Sequence, residues 1–341
     1  MTEFFGIPTQ ALFGQLLIGL INGAFYAILS LGLAVIFGLL NIINFAHGAL
    51  YMVGAFCAWF LLQYLGVGYW WALLISPIVV GIIGILIERT MLARLYKLDH
   101  LYGLLLTFGL ALIIQGVFTN YFGSSGLPYT LPQEFVGAYN LGFMFLPKYR
   151  AWVILASLVV CLSTWYVIEK TKLGSYLRAG TENAPLVQAF GINVPRMITL
   201  TYGFGVALAA LAGVMAAPIY TVNPQMGANL IIVVFAVVVI GGMGSILGSI
   251  LTGFGLGVIE GLTKVFYPEA SNTVIFIIMA IVLLIRPAGL FGRGRQGSCR
   301  TRPNPQLERP RRSRRAPRRS RRSRWWWCSH WRRSSSTRSF S

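Results

Sequence analysis

Charged residues are scarce in this sequence. They make up 11% of its 341 residues, whereas about a quarter is usual in a soluble domain. No G-x-x-x-x-G-K-[ST] motif occurs, so a phosphate-binding loop of that type is absent. Three histidines and nine acidic residues leave little material for acid–base catalysis. We therefore expect a protein that is neither soluble nor an enzyme, with no catalytic residues and no cofactor.

Paired cysteines are also absent. Cys57 and Cys161 lie in apolar stretches, Cys299 and Cys328 lie near the C-terminus, and none forms a C-x-x-C pair. Buried thiols of this kind usually pack as small apolar side chains. The sequence therefore predicts no metal site.

Long apolar runs are what the sequence has instead. Hydrophobic residues make up 56% of the chain, and its mean hydropathy is +0.69. A membrane-spanning helix needs roughly 20 mainly apolar residues. Such stretches recur up to Ile285, and we place spans at residues 11–30, 31–43, 48–65, 70–88, 101–118, 150–168, 197–217, 229–247, 250–267 and 272–286. The first two could instead be one long helix, and a glycine-rich piece could be re-entrant. The predicted fold is an all-α polytopic integral membrane protein with about eight to ten transmembrane helices, some broken or re-entrant.

The basic residues divide the chain into two parts. Residues 1–292 hold 11 basic and 8 acidic residues, a net charge of +3, whereas residues 293–341 hold 17 arginines and one glutamate, a net charge of +16. We predict a membrane domain over 1–292 and a basic, low-complexity, disordered tail over 293–341. The break in composition is the kind that an altered reading frame produces. The tail could contact lipid headgroups, and we do not expect it to bind nucleic acid.

Lys and Arg in short loops also predict orientation. They concentrate in segments 89–97, 169–196 and 286–293, which the positive-inside rule places in the cytoplasm. The segment 119–149 then faces outside, although Lys148 and Arg150 count against this assignment.

Polar residues lie at the end of the second predicted span and between it and the third. Asn41, Asn44 and His47 lie among apolar neighbours, and Gly48 can break a helix there. Unwound backbone at such a break can bind an anionic group such as an amino-acid carboxylate. Helix capping at the membrane edge explains Asn44 and His47 equally well. Gly241 and Gly242 are open to a similar choice between close helix packing and a break that lines a cavity.

A short amphipathic helix is predicted in segment 169–196. Thr181 or Asn183 can cap it, Pro185 suits its first turn, and Gly191 can end it. Leu186 and Phe190 are four residues apart and share one face. An apolar face on a short loop helix is typical of a docking element, and a plain connecting loop is the alternative.

Three acidic residues lie in or beside predicted spans. Glu88 and Glu169 are at span ends next to basic residues, where we expect them to anchor the interface. Glu260 falls inside a span, where a carboxylate is costly and points to function. Lys264, four residues on, predicts a local ion pair instead.

Five segments make the chain resemble the LivH-type permeases of high-affinity branched-chain amino acid ABC transporters, a family that also includes urea and short-chain amide importers. The segments are GLLNIINFAHGALYMVGA (38–55), LRAGTENAPLVQAFGINV (177–194), AALAGVM (209–215), GGMGSILG (241–248) and RPAGLFG (286–292). The family ends shortly after RPxGLFG, and the tail of this chain departs from that pattern.

The resemblance implies a multi-pass permease of the bacterial inner membrane that works by alternating access. Its partners would be two cytoplasmic ATP-binding subunits, a second homologous permease and a periplasmic substrate-binding protein, in contact with membrane lipid. The coupling helix would comprise Thr181, Glu182, Asn183, Ala184, Leu186, Phe190 and Gly191. The translocation path would include Asn41, Asn44, His47, Gly48, Gly241 and Gly242. A secondary transporter or channel centred on Glu260 is the alternative.

Overall fold

The computed structural model describes residues 3–4, 7–40, 44–96, 100–140, 142 and 145–292. The Arg-rich tail and Asn41 lie outside these residues. Within them the chain forms twelve α-helices and four short strands. The all-α fold predicted from hydropathy is confirmed.

The helices follow the apolar runs of the sequence. Their bounds are α1 Thr9–Leu40, α2 Ala46–Leu65, α3 Tyr69–Ile87, α4 Ala93–Leu95, α5 His100–Phe122, α6 Lys148–Lys170, α7 Lys172–Glu182, α8 Ala184–Ala189, α9 Val194–Ala216, α10 Met226–Gly241, α11 Ile246–Phe266 and α12 Val274–Ile285. A π-helical turn, Glu88–Leu92, joins α3 to α4.

The strands are confined to short hairpins. β1 (Glu3–Phe4) pairs antiparallel with β2 (Ile7–Pro8), and β3 (Ala138–Asn140) pairs antiparallel with β4 (Phe145–Pro147). A single bridge joins Leu127 to Val222 and ties the long loop after α5 to the loop after α9.

Seven helices among the described residues are long and apolar enough to cross a membrane, and two apolar helices are shorter. The first apolar run forms one helix of 32 residues rather than a pair, which settles the alternative that the sequence left open. The shorter helices, α10 and α12, have 16 and 12 residues. At 1.5 Å per residue they extend about 24 and 18 Å, less than the ~30 Å hydrocarbon core.

Small residues bring the helix backbones into contact. The most extensive helix pair is α1 with α11, where a Cβ on Gly19 would lie 2.5 Å from the Gly257 carbonyl oxygen. A Cβ on Gly32 of α1 would lie 2.6 Å from the Gly205 oxygen of α9. Lipid provides little hydrophobic drive for helix association, so close backbone packing of this kind holds the bundle together.

Side-chain contacts fix how the elements run. Asn44, just before α2, bonds to Tyr202 in the first half of α9, whereas Tyr149 at the start of α6 bonds to the Met215 carbonyl at the far end of α9. Glu88, at the end of α3, bonds to Thr199 near the beginning of α9. One end of the bundle therefore carries the C-terminal ends of α3 and α6 together with α7 and α8. The opposite end carries the loop after α9.

Candidate functional site

The short helix predicted in segment 169–196 is α8. The Asn183 side-chain oxygen accepts a hydrogen bond from the Leu186 backbone N–H at 3.1 Å, which identifies Asn183 as the N-cap. Pro185 lies in the first turn. Gly191 has φ +82°, the left-handed conformation that commonly ends a helix. The local structure predicted from these residues is confirmed.

The apolar residues of α8, with Phe190 directly after it, divide between two sides. Val187 is buried, whereas Leu186 is 56% and Phe190 is 78% exposed. Ala184 is the first residue of α8, and Thr181 and Glu182 are the last two residues of α7. Leu177 of α7 is buried against Val35 and Ile168, so that the pair of short helices is anchored to α1 and α6 while Leu186 and Phe190 remain uncovered.

Asn44, His47 and Gly48 come together in the interior. The Asn44 side-chain nitrogen donates to the Tyr202 hydroxyl at 2.9 Å, and His47 Nε2 lies 3.1 Å from the Leu29 carbonyl oxygen. Asn44 Oδ1 and His47 Nδ1 have no hydrogen-bond partner among the described residues. The Asn44 and His47 side chains are buried, in contact with α9 and α1.

Gly48 packs on the first turn of α10. A Cβ on Gly48 would lie 2.6 Å from the Gly227 carbonyl oxygen. Gly48 also lines an apolar cavity of about 240 Å³ beside Phe45, Phe108 and Gln115.

Gly241 and Gly242 lie at a different place. Gly241 is the last residue of α10, and a Cβ there would lie 2.8 Å from Thr252 Oγ1 of α11. The backbone N–H groups of Leu290 and Phe291 donate to the carbonyl oxygens of Ile240 and Gly241. The contacts of this glycine pair are therefore with α11 and with the RPAGLFG segment, not with Asn44 and His47.

The interface role predicted for Glu88 is wrong. Its side chain is buried, with 2% exposure, and accepts hydrogen bonds from the Tyr96 hydroxyl at 2.7 Å and the Thr199 hydroxyl at 2.8 Å. Burial raises the pKa of Tyr96, and the adjacent Glu88 carboxylate raises it further. Glu169 differs, because it forms a half-exposed ion pair with Arg178 at 2.8 Å.

The local pair predicted for Glu260 is confirmed. Lys264 Nζ lies 2.5 Å from the carboxylate, and the Tyr26 hydroxyl donates to its other oxygen at 2.8 Å. The Asn22 side-chain nitrogen donates to the same carboxylate oxygen as Lys264, at 3.4 Å. The Asn22 side-chain oxygen accepts a hydrogen bond from the Tyr220 hydroxyl at 2.9 Å. Glu260 thus stands at the centre of a network that joins α1, α11 and the loop after α9.

A second cavity lies against this network, and sequence reasoning did not identify it. Its volume is about 270 Å³, and its polar lining residues are Asn22, Tyr26, Tyr51, Tyr220, Asn223 and Asn229. The available signal was a set of single asparagines in otherwise apolar segments, since polar residues at membrane depth are costly and often functional.

Among the described residues, no group of three or more His, Cys, Asp and Glu side chains could hold a metal ion. The candidate functional features of the described residues are an apolar cavity, a cavity with a polar lining and a short helix with uncovered apolar side chains.

Residues 15–283 match the family described as branched-chain amino acid transport system, permease component. The high-affinity branched-chain amino acid transport system permease protein LivH of Escherichia coli K12 is 29% identical over 294 residues, covering 82% of this chain and 95% of that protein. The corresponding permease protein BraD of Pseudomonas aeruginosa is 31% identical over 292 residues, with the same coverage.

A second type of permease is also similar. The LivM protein of Escherichia coli K12 is 28% identical over 291 residues, covering 78% of this chain and 67% of that protein. Among solved structures, PsaBC from Streptococcus pneumoniae in complex with Fab is similar with a TM-score of 0.38 at 16% identity, covering 81% of this chain and 89% of that one. With seven apolar helices of spanning length and a family match over most of its length, the chain is a multi-pass membrane protein that belongs to the branched-chain amino acid transport permease family.

Proposed function

We propose that this chain is the permease subunit of an ATP-driven ABC importer of the bacterial inner membrane, which translocates branched-chain or other apolar amino acids by alternating access. Family membership supports the permease role, and the names of the relatives support this choice of substrate. The observation that carries the proposal is α8, a capped helix that presents two uncovered apolar side chains between two spans. The permease domain occupies residues 1–292.

The uncovered pair on α8 suits a protein partner. An exposed phenylalanine and leucine held in place by a helix cap form an anchor that a cleft on another subunit can bury. The partners on this side are two cytoplasmic ATP-binding subunits, which hydrolyse ATP. A second, homologous permease and a periplasmic substrate-binding protein complete the importer, and membrane lipid surrounds it. No nucleic acid is involved.

Movement of α8 has a direct route into the bundle. α9 begins at Val194, three residues after Gly191, and packs on α1, α2 and α3. When ATP binding closes the ATPase subunits, α8 moves with them and displaces α9. The spans then rearrange around a central passage, as alternating access requires.

Charging the docking pair tests this role. Leu186→Asp and Phe190→Asp are each expected to abolish association with the ATP-binding subunits and substrate uptake, because a carboxylate cannot be buried unpaired in an apolar cleft. Membrane insertion should be unchanged, because both side chains are exposed. The measurements are co-purification in mild detergent and uptake of radiolabelled leucine by cells.

Leu173→Asp on α7 is the matched control, since Leu173 has the same 56% exposure as Leu186 but lies outside α8. This variant should retain association and uptake. Normal uptake in both α8 variants would contradict the coupling role. A complete importer that took up no leucine would contradict the substrate assignment alone.

A further inference from the structure

We propose that the 270 Å³ cavity beside Glu260 is the transit site, where Asn229, Tyr220 and Asn223 bind the polar end of the passing solute. This inference rests on the proposed function and adds the residues that contact the substrate. The solute class is a small molecule of zero net charge with an apolar side chain.

The position of the cavity fits a passage across the bundle. Ile246, the first residue of α11, packs against Ile168 and Leu177, at the end of the bundle that carries α7 and α8. Glu260 lies 14 residues further along α11, roughly 21 Å away at 1.5 Å per residue. The cavity thus lies in the half of the bundle remote from α8, beneath the loop after α9.

The lining of the cavity combines two kinds of side chain. Phe25, Met226 and Leu230 are apolar, which suits an aliphatic side chain. Asn22, Tyr220 and Asn229 supply amide and hydroxyl groups. The volume lies just below the ~300–1,000 Å³ range of sites for drug-sized ligands, so that it suits a small solute.

The charged pair behind the cavity wall, Glu260 and Lys264, is internally neutral. The Glu260 carboxylate is paired with Lys264 and receives hydrogen bonds from Tyr26 and Asn22, and its side chain is only 5% exposed. A net-charged solute would therefore meet no free counter-charge from this pair, whereas a zwitterion can bind through neutral donors and acceptors. Glu260 acts as a positioning residue, because it fixes Tyr26 and Asn22, and Asn22 in turn fixes Tyr220.

Neutral contacts also suit transit. Hydrogen bonds between neutral groups are weaker than charge-assisted ones, and a transported solute must leave its site as well as enter it. The side chain of Asn229 is exposed and makes no hydrogen bond to the described residues. It is therefore available to bind a solute without breaking an existing bond.

The test uses the complete transporter, reconstituted in proteoliposomes with its partner permease, ATP-binding subunits and binding protein. Asn229→Leu is expected to lower leucine uptake about tenfold, the effect of one lost hydrogen bond, while ATP hydrolysis stays within about twofold. Met226→Trp should block uptake similarly by filling the cavity. Gln115→Leu, the same kind of change in the apolar cavity beside Gly48, should alter neither activity.

A labelling experiment covers the case in which these variants lose ATP hydrolysis as well. Asn229→Cys would be made in a background without the native cysteines Cys57, Cys161, Cys299 and Cys328. Leucine, supplied with the binding protein, should slow the reaction of the thiol introduced at position 229 with a water-soluble thiol reagent several-fold. Unchanged uptake in both cavity variants, or labelling that leucine does not slow, would overturn the transit site. Failure of the unmodified transporter to take up leucine would instead contradict the substrate assignment of the proposed function.

Discussion

The contact between α1 and α11 allows a quantitative prediction from two glycines on one helix. Gly253 faces α1, and a Cβ added to it would lie 2.7 Å from both the backbone nitrogen and the Cα of Ala27. Gly255, two residues on, has nothing within 4 Å of its Cβ position. Gly253→Ala and Gly255→Ala each add one methyl group to α11, so that the two variants differ only in what that methyl group contacts.

The expected cost of Gly253→Ala follows from this distance. Carbon contacts are optimal at about 3.5–4.0 Å, so that the helices must separate by roughly 0.8 Å or distort. Overpacking of this kind costs about 1–3 kcal/mol, because backbone atoms cannot rotate away. Gly255→Ala meets no such obstacle and gains up to about 1 kcal/mol of helix propensity.

Thermal unfolding in mild detergent, followed by size-exclusion chromatography, distinguishes the two variants. At ~2–4 °C per kcal/mol, Gly253→Ala should lower the midpoint by several degrees, whereas Gly255→Ala should leave it unchanged or raise it slightly. The separation should also lengthen the bond from Tyr26 to Glu260, now 2.8 Å, beyond the ~3.0 Å usual for such bonds, and so reduce uptake. Equal midpoints for the two variants would refute the view that backbone contact along α1 and α11 limits stability.

Two further predictions concern buried hydroxyl groups. Thr199→Val should destabilise the protein by about 1.5–3 kcal/mol because it removes a donor from the buried Glu88 carboxylate. Thr201→Val is the control, since among the described residues the Thr201 hydroxyl donates only to the Met197 carbonyl. Equal losses in thermal stability would contradict this role of Glu88. Tyr129→Phe should raise stability, because the buried Tyr129 hydroxyl has no hydrogen-bond partner among the described residues. Burial raises the pKa of Tyr129 to about 12, above the value near 10 of an exposed tyrosine. Because the unfolded chain ionises this tyrosine more readily, Tyr129 causes no pH-dependent loss of stability below pH ~10, and the stability of the protein falls as pH rises from ~10 toward 12. Thermal unfolding of the variant should therefore depend less on pH in this range. The same alkaline loss in both proteins would contradict the assignment.

Much of the fold follows from local sequence. The apolar runs predicted the spans because a lipid-facing helix must satisfy its backbone within itself. Asn183, Pro185 and Gly191 predicted α8 because caps act within a few residues of one another. The first run was ambiguous between one helix and two, since hydropathy alone does not register a turn.

Contacts between distant parts of the chain were beyond such reasoning. Glu88 was assigned to the interface from its neighbour Arg89, whereas its partner Thr199 is 111 residues away. The pairing of Glu260 with Lys264 was predictable at a spacing of four residues, but the bond from Tyr26 crosses 234 residues. The cavity was missed for the same reason, because its walls come from α1, α2, α10 and the loop after α9, which meet only in the folded bundle.

The small-residue contacts that stabilise the bundle also explain how it could transmit movement. α9 meets α1 where a Cβ on Gly32 would lie 2.6 Å from the Gly205 oxygen, and it meets α2 where a Cβ on Gly54 would lie 2.5 Å from the Ala210 Cα. Few side chains interlock at such surfaces, so that one helix can slide along another with little repacking, the shear motion common in domain closure. Because α9 follows α8 closely and contacts both α1 and α2, which line the cavity, a displacement of α8 reaches the cavity wall through one helix. Tight packing and mobility therefore have a common origin at these two contacts, where backbone meets backbone and neither contacting residue has a side chain larger than that of alanine.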